Sequence, residues 1–151
     1  MNISPATVAS VLNRELTATI ERWLKRVDGV PSLVEVPLTN QQRTGHLPQL
    51  LKEMIQRLTL VEGAERPHGR GAHDHGKVRF DQGYTVPMLV EESRLLQVTI
   101  FDTLRRNQQT LDSADMMRDV VTIADECDAQ LKDTVETFMR FEKAKVAVRS
   151  S

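Results

Sequence analysis

Apolar residues recur along this chain at steps of three and four, the spacing that places them on one face of a helix. In the first segment Ser4 is the expected N-cap and Pro5 the first helical residue. Val8, Leu12, Leu16, Ile20, Trp23 and Val27 then form one stripe that stops at Asp28-Gly29, ahead of Pro31. Residues 30–38, VPSLVEVPL, read as a loop. Thr39 with Gln42 makes a capping box for a short helix that Gly45 ends, and Leu47-Pro48 restarts the chain into Leu51, Met54, Ile55 and Leu58.

From Val61 to Asp74 the pattern dissolves into a polar, glycine-rich connection that enters a helix between His68 and Ala72 and ends at Gly83. Thr85 caps the next helix, Val86 to about Arg106, whose apolar residues fall on two sides: Leu89, Leu96, Ile100 and Leu104 on one, Val90, Val98 and Phe101 on the other. Two apolar sides predict a central, heavily buried helix. From Asp112 to Val148 there is neither glycine nor proline, so the last helix is the longest, roughly 55 Å, and part of it should project beyond a small domain. Its stripe of Met117, Val120, Ala124, Cys127, Leu131, Thr134, Phe138 and Phe141 reads as a seam for another helix or a second copy. Leu131, Phe138 and Phe141 are therefore the expected dimer and output contacts. The fold class predicted is all-α: one helical bundle over residues 1–148, with a long C-terminal helix and a short tail at 149–151.

Charge and composition narrow the function classes. Lys plus Arg total 20 against 21 for Asp plus Glu, which gives no electrostatic reason to expect nucleic acid or an anionic membrane as a partner. No apolar run approaches the ~18 residues of a membrane span, and MNISPATVASVL lacks the basic flank of a secretion signal. The lone cysteine, Cys127, sits on the apolar seam as a small hydrophobe, and the expected compartment is the cytoplasm.

Four histidines, His46, His68, His73 and His75, raise a metal or haem reading. His73 and His75 stand two apart, about 200° around a helix, and no HExxH or paired-cysteine pattern completes a shell, so no metal and no cofactor is expected. The most informative constellation is His75 and Arg79 on one helical face, followed by Glu91 and Arg94 in the next helix. A turn at Gly83-Tyr84 would bring Arg79 to Glu91, its expected partner. Two readings stay open: an inter-helix salt-bridge network that sets register, or a polar pocket where a small molecule or a proton biases helix packing.

At these residues the chain resembles the N-terminal domain of the RsbT co-antagonist family (RsbR/RsbRD), found on stressosome proteins and at the front of some bacterial sensor histidine kinases. The resemblance lies in RWLKRV around Trp23, LTNQQRTGHLPQLLKEMIQRL at 38–58, HGKVRFDQGYTVPMLVEESRLLQVTIFDTL at 75–104, and ADECDAQLKDTVETF. Ser93 stands where such domains carry an aromatic residue, and Gln97 where they carry a basic one, so a pocket here would differ in shape and charge. The resemblance implies a bundle related in outline to non-haem globin-like sensors, without enzymatic activity of its own. It would pass a state change down its C-terminal helix to an output domain, and the resemblance does not distinguish a kinase parent, the one favoured here, from a stressosome module. With the seam of the last helix, the expected assembly is a homodimer that answers an unknown small-molecule signal.

Overall fold

A computed structural model describes residues 4–61, 63–67 and 69–150, and among these the chain is all-helical, with a single isolated bridge between Ala6 and Leu111. His68, weighed above as a possible ligand and as a helix start, lies outside the described residues.

The N-terminal stripe is divided. Ala6 is held in the bridge, its N–H donating to the Thr110 carbonyl at 2.8 Å, so neither Ser4 nor Pro5 begins a helix. Thr7 is the N-cap, its hydroxyl accepting from Ser10 N at 3.0 Å, and α1 runs Val8–Arg14. Glu15 departs from helical geometry and separates α1 from α2, Leu16–Asp28, which buries Trp23 and Val27. The segment read as a loop contains a one-turn helix, α3, Pro31–Val34, because Pro31 occupies its first turn and Leu33 is fully buried.

Local punctuation places the next elements as the sequence requires. The Thr39–Gln42 capping box opens α4, Asn40–Thr44, and Gly45 ends it at φ 46°, a left-handed conformation suited to glycine. Helix α5, Leu47–Leu58, buries Leu47, Leu50, Leu51 and Met54. Helix α6 spans Gly71–Asp81, and a carboxylate from α5, Glu53, accepts from Gly71 N at 3.1 Å at its start. Helix α7, Val86–Arg106, has Pro87 in its first turn. On its second side the burial is partial: Leu89, Leu96, Ile100 and Leu104 enter the core and Phe101 is half-buried against it, whereas Val90 and Val98 are exposed.

Helix α8, Ser113–Arg149, is capped by Asp112 and at 37 residues is about 55 Å long. It is the spine of the bundle: α5 and α7 pack on it, and α6 makes the most extensive contact. Residues 142–149 are exposed throughout, so its C-terminal turns project past the core. The α6–α8 approach depends on Gly76, where an added Cβ would lie 2.5 Å from the Thr134 carbonyl oxygen. On an open helix Gly→Ala stabilises by about 1 kcal/mol. Gly76→Ala is expected to reverse that sign and cost about 1–3 kcal/mol in urea unfolding, because the two backbones must separate.

The seam expected to face a second copy belongs instead to this packing. Phe138 is 2% exposed and meets Phe80 of α6 edge-on at 5.5 Å, and Phe141 stacks on the same ring at 5.9 Å. Leu131 is half-buried and packed against the core. Around Phe138 and Phe141 the seam is taken up by α6, whereas Met117 at its N-terminal end is 72% exposed.

Candidate functional site

One carboxylate organises the polar interior. Glu92 stands between Leu89 and Leu96 on the buried face of α7 and is 3% exposed, a costly place for a charge unless it is paired. Arg79 of α6, 1% exposed, supplies the pair in bidentate form: Nε donates to Oε1 at 3.0 Å and Nη2 to Oε2 at 2.9 Å. Tyr84 adds its hydroxyl to Oε2 at 2.9 Å, and its ring lies 4.6 Å from the Arg79 guanidinium carbon.

The remaining donors of Arg79 serve the end of α4. They reach the carbonyls of Gln42 and Arg43, which a helix terminus leaves without partners, and the Gln82 side chain. Arg43, 5% exposed, does the same one step upstream, donating to the carbonyls of Leu33 and Val36 at 3.1 and 2.7 Å and to the Tyr84 hydroxyl at 2.8 Å. Two buried guanidiniums thus tie α3, α4, α6 and α7 to a single carboxylate.

His75 lies one turn before Arg79, its Nε2 3.6 Å from Glu92 Oε1 and its ring edge-on to His46 at 6.3 Å. That separation is an electrostatic contact rather than a hydrogen bond. Burial pushes the imidazole below its ordinary value, and the Glu92 carboxylate draws it back only in part. Burial acts on Glu92 in the opposite sense, yet His75 and the Arg79 charge hold its carboxyl below the usual range. The folded protein therefore takes up a proton at His75 less readily than the unfolded chain does. Stability from this residue is present above about pH 6.5 and is lost as pH falls through the window beneath it. Urea midpoints measured from pH 7.5 to 5 are expected to fall below about pH 6.5, and His75→Gln is expected to flatten that fall.

Of the four residues singled out from the sequence, the structure brings His75 and Arg79 together and leaves Glu91 and Arg94 outside. Those two pair with each other on the surface, Arg94 Nη2 to Glu91 Oε1 at 2.6 Å, with the Arg94 side chain 59% exposed. Arg79 pairs with Glu92 rather than Glu91 because the helix turns residue 92, not 91, onto the face of Leu89 and Leu96. The spacing Leu89-x2-Glu92-x3-Leu96 carried that signal. Nothing comparable marks Arg43 in NQQRT or Tyr84 after its glycine.

Beside the network lies a cavity of about 40 Å³. Trp23, Leu47, Leu89, Leu96 and Leu131 give it apolar walls, and His75, Glu92, Gln130 and Thr134 form a polar side, with Ser93 also lining it. This is room for about three water-sized groups. Cys127 also lines it, but burial, with Asp128 and Glu126 nearby, pushes its thiol up to about 12, so it is no nucleophile.

A second buried carboxylate, Glu126, receives Arg57 at 3.1 Å and Arg66 at 2.9 Å and clamps α5 and the 63–67 segment to α8. His73 turns away from His75 toward the Thr137 hydroxyl, 3.1 Å from its Nδ1, as their separation on a helix requires. Among the described residues no three His, Cys, Asp or Glu side chains converge in a metal-binding arrangement, and no helix is long and apolar enough to cross a membrane. Comparisons with protein-family models, curated proteins and solved structures find no match to this chain.

Proposed function

We propose that this chain is the sensory domain of a bacterial signal-transduction protein. In it, a small molecule in the cavity, or a proton on His75, shifts how α6 and α7 pack against α8, and α8 carries that change to an output domain. The observation that supports the reading is the placement of a fully buried ion pair, Arg79–Glu92, and a neutral-leaning histidine at the wall of a cavity whose far side is α8. Buried ion pairs are seldom the most stable filling for a core, and apolar replacements of equal volume often stabilise more. Keeping charge there gives the packing something to respond to.

The resemblance to the RsbT co-antagonist family fits two parents, and we take the first as a two-component sensor histidine kinase, with a stressosome-type co-antagonist as the alternative. The domain works in the cytoplasm as a homodimer, without catalysis, metal or haem. The cavity admits about two to four heavy atoms, so the signal is small.

Thermal unfolding in the presence of short alcohols, acetamide and acetate tests the ligand reading. A bound molecule raises Tm by mass action, so at least one of these is expected to raise that of the wild type. Ser93→Leu, which adds two heavy atoms to the cavity wall, should abolish the shift while keeping the fold. If no compound shifts the wild type and Ser93→Leu is simply more stable, the cavity is a packing gap and the ligand reading fails.

A further inference from the structure

The arginines of α2 and of the end of α7 take no part in the candidate site. Arg22 and Arg26, one turn apart on α2, reach across to α7 and meet neutral oxygen. Arg22 Nη2 donates to the Thr103 hydroxyl at 2.8 Å, and Arg26 Nη1 donates to the Thr99 hydroxyl at 3.2 Å. The carboxylates that face them stay beyond hydrogen-bond range, Glu15 at 3.8 Å from Arg22 and Asp102 at 3.9 Å from Arg26. Asp102 is taken instead by Arg105 at 2.6 Å and Arg106 at 2.8 Å. Glu15 accepts from the Asn107 side chain, lies 3.7 Å from Arg14, and its charge is felt at Arg106 as well. Among the described residues, five guanidiniums in one connected cluster thus share two carboxylates, an excess of three positive charges in a chain whose net charge is −1.

Cations in the last turns of α1, α2 and α7 offset the dipoles of those helices, which gives Arg14, Arg26, Arg105 and Arg106 a structural role. Arg22 stands in the middle of α2, outside that account, and its Nε is buried with no acceptor among the described residues. The chain's own oxygens therefore leave the cluster short of negative charge. Beside it the turn after α7 forms a groove of about 740 Å³, within the size range of small-molecule sites. Its walls are Arg105, Arg106, Asn107, Gln108, Gln109 and Thr110, all of them hydrogen-bond donors and none apolar. Arg14 reaches the same groove, donating to Asn107 Oδ1 at 2.8 Å.

We propose that this cluster is a second ligand site, independent of the cavity reading, and that it takes a compact polyphosphate such as the diphosphate group of a soluble metabolite. Guanidinium forks match phosphate oxygens two at a time. A phosphate monoester carries about −2 at neutral pH, so an excess of three positive charges suits a diphosphate better than a single phosphate or carboxylate. A groove without apolar walls offers no anchor for the side chains of a peptide. Arg14, Arg105 and Arg106, whose side chains are 58%, 76% and 55% exposed, are the arms that reach the ligand, and Arg22 and Arg26 add charge from the α2 side.

Isothermal titration of the chain with inorganic pyrophosphate in about 150 mM NaCl tests the site. The wild type is expected to bind one pyrophosphate with a Kd below about 1 mM, and orthophosphate about fivefold more weakly. Arg105→Gln and Arg14→Gln, each at an exposed position, should each weaken binding about fivefold. Glu15→Gln keeps an acceptor for Asn107 but removes a carboxylate, and should tighten binding, an effect that a merely structural role for the arginines does not produce. No heat with pyrophosphate, or binding that all three variants leave unchanged, overturns the site. A penta-aspartate peptide that binds as tightly as pyrophosphate and is lost in the same arginine variants makes the cluster a docking face for an acidic chain, and overturns the ligand assigned.

Discussion

Arg79→Ala is expected to destabilise this domain by about 3–5 kcal/mol, because it leaves Glu92 ionised, buried and without its main partner. It also strips the carbonyls of Gln42 and Arg43 at the end of α4 of their donor. Urea unfolding of purified variants measures the cost. The comparison that gives it meaning is Glu91→Ala, which should change stability by less than about 0.5 kcal/mol, since that carboxylate only meets exposed Arg94. A double replacement, Arg79→Met with Glu92→Leu, should recover much of the loss, because an apolar pair needs no compensation. If Arg79→Ala melts like the wild type, the guanidinium is solvated and the network described here does not hold the fold.

Phe138→Ala is expected to cost about 3–5 kcal/mol as well, for a different reason: it empties a volume between α6 and α8 that Phe80 cannot fill without moving. Phe141→Ala should cost less, since Phe141 is only partly buried. Light scattering alongside denaturant unfolding tells the core role from an interface role. A core residue lowers stability without altering the association state, and an interface residue does the reverse. Dissociation of Phe138→Ala into well-folded monomers would return the seam to the dimer surface.

The difference between what was legible in the chain and what was not follows the range of the interactions. Capping at Thr39–Gln42, the stop at Gly45, the proline starts of α5 and α7 and the uninterrupted run of α8 are decided within four or five residues, and the sequence states them openly. The start of α1 was hidden because Ala6 is held by Thr110, which the local sequence around Pro5 cannot reveal. The division at Glu15 was invisible to periodicity, since a bend there leaves the three-and-four spacing of Leu12, Leu16 and Ile20 intact. The site suffered a one-residue error with a full change of face. Glu91 lies beside Val90, 45% exposed, so the partner expected for Arg79 stands at the surface, and the residue after it is the one turned into the core. The α8 seam was read correctly as needing a partner helix. Which helix supplies it depends on Gly76 letting α6 close onto Thr134, a contact between residues far apart in the chain.

The central claim is that a change of state at His75 reaches α8. Amide hydrogen exchange at pH 7.5 and pH 5.5, corrected for intrinsic rates, tests it most directly on the wild type and His75→Gln. Protonating a buried imidazole beside Arg79 disturbs the α6–α8 contact first, so protection should fall in residues 71–81 and 130–141 of the wild type. Helices α1 and α2 should hold, and His75→Gln should show no such selective loss. Unchanged protection of residues 130–141 in the wild type, or an equal loss in His75→Gln, would contradict the account.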